Sequence, residues 1–338
     1  MRYAMLLKSH SNVRYFLSLQ KLALCELSCA LSAWELADAK AELCRIAGES
    51  FLTFETDAMT QEMWRDLSCL SSICLAGELE GELLRPIPRH KEAFVPEELP
   101  QVLKYKGKTN ADFTALMLHC AKNASAFARS QEPLTVLDPL CGKATTLFCA
   151  LCQGHNAVGV ERDDKALREA DVYLERFLKL NKLKHKREQT SRTLPSGGSV
   201  KVVCYELSNS PERWKAGDTR SLSMVYGDAQ RLGELVKPAS CHLIVTDMPD
   251  GVQHAPHEGR GTSTLARLAE MLARGCARAL KQGGAAAVSF NAYTLQKDEL
   301  AQAMRDAGLK PLTQPPYDDF SHWVEQAVTR DLLIATKE

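Results

Sequence analysis

Leu134-Thr135-Val136-Leu137-Asp138-Pro139-Leu140-Cys141-Gly142-Lys143-Ala144-Thr145-Thr146 decides the fold. Its first half is a short apolar run closed by a carboxylate, and its second half turns through glycine into an apolar helical pattern over Ala144–Gln153. A buried strand that hands an acid to a tight turn and then to a helix opens an α/β sheet. The pattern continues downstream. Strand Ala157–Glu161 precedes helix Lys165–Leu180, strands Ser223–Gly227 and Cys241–Asp247 follow, and helix Ser263–Lys281 precedes strand Ala285–Asn291. Helix Gln296–Ala307 and a terminal pair ending in Asp331–Thr336 complete the expected α/β fold, a mostly parallel seven-stranded sheet with helices on both faces. The polar insertion Asn181–Leu222, with glycine and serine at 196–199, reads as a flexible loop.

Upstream, Arg2–Lys8 and Ser50–Glu55 read as strands, with helical patterns over Tyr15–Leu36 and Met59–Leu75. Three parts are expected: a small α+β module over 1–84, a linker and packing helix over 85–133, and the sheet domain over 134–338. The linker opens at Arg85-Pro86-Ile87-Pro88-Arg89.

The 338 residues are 45% hydrophobic and 25% charged, an ordinary globular composition. Forty-two basic residues balance 42 acidic ones, so no global field draws the chain to nucleic acid or anionic lipid. The distribution is uneven: acids dominate the first hundred positions, whereas Lys104, Lys106, Lys108 and the Lys179–Arg192 region are basic. Most of the 12 cysteines lie in apolar patterns, where cysteine acts as a small hydrophobe. Cys149 and Cys152 share a predicted helix without a second ligand pair and read as buried thiols. Lys8, Arg14, Lys21 and Glu26 interrupt the N-terminal apolar residues, so neither a secretory leader nor a membrane span is expected, and the chain reads as cytoplasmic with reduced thiols.

Acids stand at successive strand ends: Asp138, Glu161, and Asp228 before Ala229. Open α/β sheets bind ligands at that end of the strands. The arrangement suits S-adenosyl-L-methionine. The turn at Gly142 lets backbone approach the methionine part, Glu161 accepts from the ribose hydroxyls, and Asp228 reaches the adenine amine. One such acid is an everyday helix cap; three in sequence are specific. A dinucleotide loop needs G-x-G-x-x-G, and only Gly142 is present. A Walker A loop fails because Leu137 replaces its first glycine and Ala144 precedes the hydroxyl.

The second constellation is Thr246-Asp247-Met248-Pro249-Asp250-Gly251. Methyltransferases of exocyclic amines carry Asp or Asn, a proline two residues on, and an aromatic. The carboxylate accepts from the amine and aims its lone pair, and the aromatic stacks on the unstacked base. Asp247 and Pro249 fit, while Asp250 stands where the aromatic belongs.

Taken together, Leu84–Ile87, Leu103–Asn110, Leu137–Thr146, Gly159–Glu161, Val245–His254 and Arg330–Leu333 resemble the RNA methylase family related to the tRNA guanosine-N2 methyltransferases. The resemblance spans most of the chain after residue 80 and implies a class I methyltransferase sheet. It implies transfer of methyl from S-adenosyl-L-methionine to a base amine of RNA, with guanosine in tRNA as acceptor. The residues it implies at the cofactor are Thr109, Asp138, Pro139, Cys141, Gly142, Glu161, Asp228, Ala229 and Asp247. Those it implies at the acceptor are Asp247, Pro249 and Asp250. The N-terminal module resembles the shorter bacterial members and shows no THUMP RNA-binding domain.

Two positions depart from relatives, which have glycine at 144 and tyrosine at 250. A methyl at 144 is costly where φ is positive. Asp250 also brings a second carboxylate to Asp247, which raises a pKa by repulsion, and leaves Tyr293 or Phe290 to supply the stack. It keeps open a cofactor-binding protein without turnover, while the zero net charge and the absent THUMP domain keep open a small-molecule N-methyltransferase. Lys182, Lys184, His185, Lys186 and Arg187 read equally as phosphate contacts or as a solvated helix end. Pro315-Pro316-Tyr317 reads as a turn, and His254 and His257 lack a third ligand, so no metal is expected.

Overall fold

The computed structural model describes residues 1–338 except 11, 37, 58, 82, 89–92, 103–108, 251–263 and 326–327. The N-terminal part runs β1 (Arg2–Leu7), α1 (Val13–Ala33), β2 (Glu42–Ile46), β3 (Glu49–Glu55), α2 (Gln61–Ser68), β4 (Ile73–Glu80) and β5 (Leu83–Pro86). Its five strands form one antiparallel sheet in the order β2-β3-β1-β4-β5. Two expectations change. The helix read over Met59–Leu75 stops at Ser68, because the apolar run from Ile73 is claimed by β1 as a strand partner, with Met5 opposite Ala76. The expected linker begins later, because Leu83–Pro86 pairs with β4.

Helix α1 contains one apolar window, Phe16–Ala33, long enough to cross a membrane, which the sequence reading had excluded. Its apolar face is spent inside the fold instead: Ala23, Leu27, Ala30 and Leu31 pack against Tyr3, Met5, Leu52 and Phe54 of the sheet. Glu26, in the middle of that window, is fully buried.

After α3 (Leu99–Val102), helix α4 (Ala111–Ala124) starts at Asn110, whose side chain accepts from the Asp112 and Phe113 amides. α4 lies between the two sheets. Leu22 and Cys29 of α1 join Phe113, Met117 and Cys120 of α4 in one buried cluster. A polar knot fastens the same contact: Glu26 Oε2 accepts from the Ser71 hydroxyl (2.8 Å), and Oε1 accepts from the Ser71 amide (3.0 Å) and faces His119 Nδ1 at 2.5 Å.

The second sheet is built from β6 (Thr135–Asp138), α5 (Thr145–Cys152), β7 (Asn156–Glu161), α6 (Asp164–Leu180), β8 (Lys184–Thr193), β9 (Ser199–Ser208), α7 (Pro211–Lys215) and β10 (Arg220–Tyr226). It continues through α8 (Leu232–Leu235), β11 (Cys241–Asp247), α9 (Thr264–Ala279), β12 (Leu280–Asn291), α10 (Lys297–Asp306), β13 (Lys310–Leu312), β14 (His322–Glu325) and β15 (Val328–Thr336). The strand order is β13-β15-β12-β11-β6-β7-β10-β9-β8, with β14 paired to β15.

Five neighbours, β12-β11-β6-β7-β10, are parallel, and both flanks are antiparallel. The sheet therefore has ten strands among the described residues, not seven, and is mixed rather than mostly parallel. The insertion read as a flexible loop supplies two of the extra strands, paired from Lys184↔Ser208 to Thr193↔Ser199. β8 carries no apolar residue, so its strand character comes from its partner; β9 buries Val203, Tyr205 and Leu207.

Glu26 is expected to hold the two sheets together through α4. Glu26→Ala strands the Ser71 amide and hydroxyl and should cost about 3 kcal/mol, with Glu26→Gln costing less. Urea unfolding of the three proteins measures this, and an unchanged midpoint for Glu26→Ala would refute it.

Candidate active site

Among the five parallel strands chain order runs outward in both directions from the β6/β11 boundary, which makes it the switch point of the sheet. Every acid singled out in the sequence arrives at this end of the strands. At the end of β6 the chain turns through Pro139 and Leu140, and the Cys141 amide donates to Val160 O at 3.0 Å. Gly142 follows at φ +50°, and a Cβ there would meet no atom within 4 Å, so its backbone faces open space. Cys141 itself is buried, and burial raises its thiol pKa well above the ordinary range, so it packs rather than reacts. Gly159 opposite it leaves little room: an added Cβ would lie 2.7 Å from Cys141 Sγ and 2.6 Å from Leu147 Cδ1, so those side chains would have to shift.

Ala144 caps α5 in the left-handed region at φ +69°, with no side-chain cap. The costly case for alanine is the one realised, at roughly 1 kcal/mol of strain. The turn tolerates it because Ala144 donates to Cys141 O at 2.7 Å and accepts from the Phe148 amide at 3.0 Å.

Asp138 points inward. Its Oδ1 accepts from the Leu140 amide (3.0 Å) and from the Thr246 hydroxyl (2.8 Å) at the end of β11. Burial pushes its carboxyl up to about 6; hydrogen bonds from Thr146, Leu140 and Thr246 oppose that rise, and Asp247 adds to it. Asp138 thus shapes the turn and ties two strands together.

Glu161 is placed differently. Half-buried at the end of β7, its Oε2 accepts from the Gly142 amide (3.0 Å) and its Oε1 from the Asp163 amide (2.9 Å). Two backbone donors hold the carboxylate still beside the glycine turn. Asp228 accepts from the Gln230 amide (2.9 Å) and caps the short turn Ala229–Arg231 after β10.

At the end of β11 the Thr109 hydroxyl donates to Asp247 Oδ2 at 2.7 Å. Thr109, assigned to the cofactor by resemblance, here touches the acceptor-side acid. Arg330 of β15 reaches the same group: Nη1 lies 2.9 Å from Asp247 Oδ1, and Nη2 lies 2.9 Å from Asp250 Oδ1. Nη1 directs its hydrogen bond to Met248 O (3.0 Å), so its contact with Asp247 is coulombic. Asp247 is raised, first by burial; Arg330, Thr109 and Ser289 pull it down, and Asp250 adds the smallest push. The repulsion expected between the two acids is therefore minor, because one guanidinium bridges them. Met248 is buried, while Pro249 and Asp250 are exposed.

Sequence reasoning missed Arg330 as a site residue. It is a lone cation in an antiparallel strand 80 positions from Asp250, and only the pairing of β15 with β12 brings it there. Other sequence candidates fall elsewhere. Arg187 is bound to Asp171 through Nε (2.9 Å) and Nη2 (2.6 Å), and Lys186 pairs with Glu188 at 2.6 Å, while Lys182, Lys184 and Lys186 are exposed. Lys104, Lys106, Lys108, Gly251, His254 and His257 lie outside the described residues. Cys149 and Cys152 are buried and form no disulfide; their thiols donate to Ala111 O at 3.7 Å and Pro96 O at 3.5 Å. Tyr317 is buried beside Cys29 and Cys120, and Phe290 is buried within β12.

A cleft of about 1040 Å³ opens at the other end of the strands, between the two sheets. Its walls include Arg65, His119, Lys122, His155 and Arg220. None of the strand-end acids lines it.

No family model and no curated protein matches the chain. Among solved structures it is similar to TrmN from Thermus thermophilus, with a TM-score of 0.41 and 15% identity, covering 89% of this chain and 60% of that one. It is also similar to magnesium protoporphyrin IX methyltransferase from Synechocystis, with a TM-score of 0.41 and 12% identity, over 71% and 88%. A TehB-like SAM-dependent methyltransferase from Corynebacterium glutamicum gives a TM-score of 0.36 and 14% identity, over 67% and 87%. At these TM-scores the likenesses carry no argument about the activity of this chain.

The folded chain holds the Asp138 proton more tightly than the unfolded chain. Its stabilising contribution is full below about pH 4 and is lost as pH rises through about 6. Asp138→Asn should therefore remove about 3 kcal/mol from the fall in stability across that interval. Urea unfolding of both proteins at several pH values checks this; parallel pH profiles would contradict it.

Proposed function

We propose that the chain is an S-adenosyl-L-methionine-dependent methyltransferase acting on an exocyclic amine of an RNA base, with guanosine in tRNA as the implied acceptor. One observation carries the reading: Glu161, Asp228 and Asp247 stand at three strand ends around an open glycine turn at the switch point of the sheet. The residues fit the cofactor. Gly142 leaves free the space that a side chain would fill. The Glu161 oxygens keep lone pairs for ribose hydroxyls after accepting one amide each, and Asp228 stands ready for the adenine amine.

When bound, the cofactor supplies a methyl group already activated on a sulfonium. The work of the protein is then positioning. Asp247 accepts from the acceptor amine and directs its lone pair. Thr109 fixes one oxygen of that acid, and the Arg330 guanidinium favours its charged form against the cost of burial.

A second reading has its own support. Thr109 and Arg330 engage both oxygens of Asp247, and Arg330 also holds Asp250. A carboxylate with one oxygen hydrogen-bonded and the other beside a guanidinium favours a protein that binds cofactor without turning over.

Calorimetric titration with S-adenosyl-L-methionine should give one saturable site, weakened about tenfold or more by Glu161→Ala, since a charge-assisted hydrogen bond contributes about 1.5–3 kcal/mol. Mass spectrometry of nucleosides after incubation with tRNA should show one new methylated base. Absence of binding at millimolar cofactor sinks the methyltransferase reading, and binding without transfer to any RNA selects the second.

A further inference from the structure

Asp250 leaves the acceptor side without a stacking face. The neighbouring strand end offers one. β11 and β12 are parallel, with Asp247 opposite Ser289, so the chain leaving β12 emerges beside the acceptor-side acid. There it makes a tight turn locked at Asn291. The Asn291 side chain accepts from the Tyr293 amide (3.2 Å), and its carbonyl accepts from the Thr294 and Leu295 amides (3.0 and 3.1 Å). The Ala292 amide donates to Thr329 O at 2.8 Å, and Leu295 is buried as an anchor. Asn291 pairs with Arg330 in the sheet, the residue that bridges Asp247 and Asp250. One strand end thus gathers the acid, its cation and a rigid turn.

That turn presents Tyr293 at 68% exposure. The other large hydrophobic residues this exposed are aliphatic, among the described residues. Single exposed apolar residues are ordinary surface. A tyrosine on a pinned turn, next to a site that lacks its aromatic, is a different case. Phe290, three residues earlier in β12, is buried and unavailable.

We infer that Tyr293 is the stacking platform for the acceptor, a planar purine-like base carrying an exocyclic amine and presented out of any helical stack. The inference rests on the methyltransferase reading for its meaning, though its test does not need turnover. The ring offers its π-face, and the Asp247 carboxylate meets the amine at the edge of the base.

A short single-stranded RNA carrying one 2-aminopurine is the probe, because its amine occupies the ring position of the guanine amine and its fluorescence is quenched on stacking. Wild type and Tyr293→Phe should bind and quench alike. Tyr293→Ala should lose about tenfold in affinity and most of the quenching, within the range one base–aromatic stack contributes. The same RNA with an abasic residue at that position should bind all three proteins equally, which a merely structural role of Tyr293 would not produce. Equal binding and quenching by wild type and Tyr293→Ala, a Phe variant as weak as the Ala variant, or no binding by wild type would each overturn the inference. Titration of the same proteins with S-adenosylhomocysteine is the separate check: loss of that binding in wild type fails the methyltransferase reading and leaves the stacking result standing.

Discussion

The Thr246 hydroxyl donates to the Asp138 carboxylate over 2.8 Å across the boundary where the strand order reverses. The bond is buried on both sides, so parting the strands would strip the Thr246 hydroxyl of this acceptor and leave Asp138 to the donors of its own turn. It sets the heights at which β6 and β11 end. From those heights follow the position of the Gly142 turn on one side and of Asp247 on the other. Asp138 is thereby consumed by structure, while Glu161 is held beside that turn, Oε2 by the Gly142 amide and Oε1 by the Asp163 amide.

A second constraint acts on the acceptor side. Burial raises Asp247, and the nearby Asp250 raises it further. Arg330 answers both with one guanidinium, contacting each acid at 2.9 Å and donating to the Met248 carbonyl. The planar fork of arginine suits this three-way role, which a lysine point charge would not fill. Asp250 is thereby held by electrostatics, and the exposed ring of Tyr293 stands one strand over.

The parallel core was legible because its strands are buried on both faces. Thr135–Asp138 and Cys241–Asp247 read from the sequence to the residue, each a compact apolar run closed by an acid. The hairpin β8–β9 was hidden because Lys184–Thr193 contains no apolar residue, and a strand held by one partner leaves no period in its own composition. The strand-end acids were found, but not their division of labour, since side-chain direction depends on Thr246 and the Gly142 amide. Arg330 was invisible as a site residue because its meaning comes from sheet pairing across long sequence separation. The positive φ of Ala144 is likewise a property of the turn that alanine alone does not announce.

Among the described residues two candidate ligand places stand at opposite ends of the strands: the turn at the switch point, and the cleft of about 1040 Å³ between the sheets. A crystal structure of the protein soaked with S-adenosylhomocysteine separates them most directly. The account predicts the ribose on Glu161 and the methionine part along the Gly142 backbone, with the inter-sheet cleft empty. Density for the nucleoside among His119, Lys122 and Arg220, with the Gly142 turn unvisited, would contradict it.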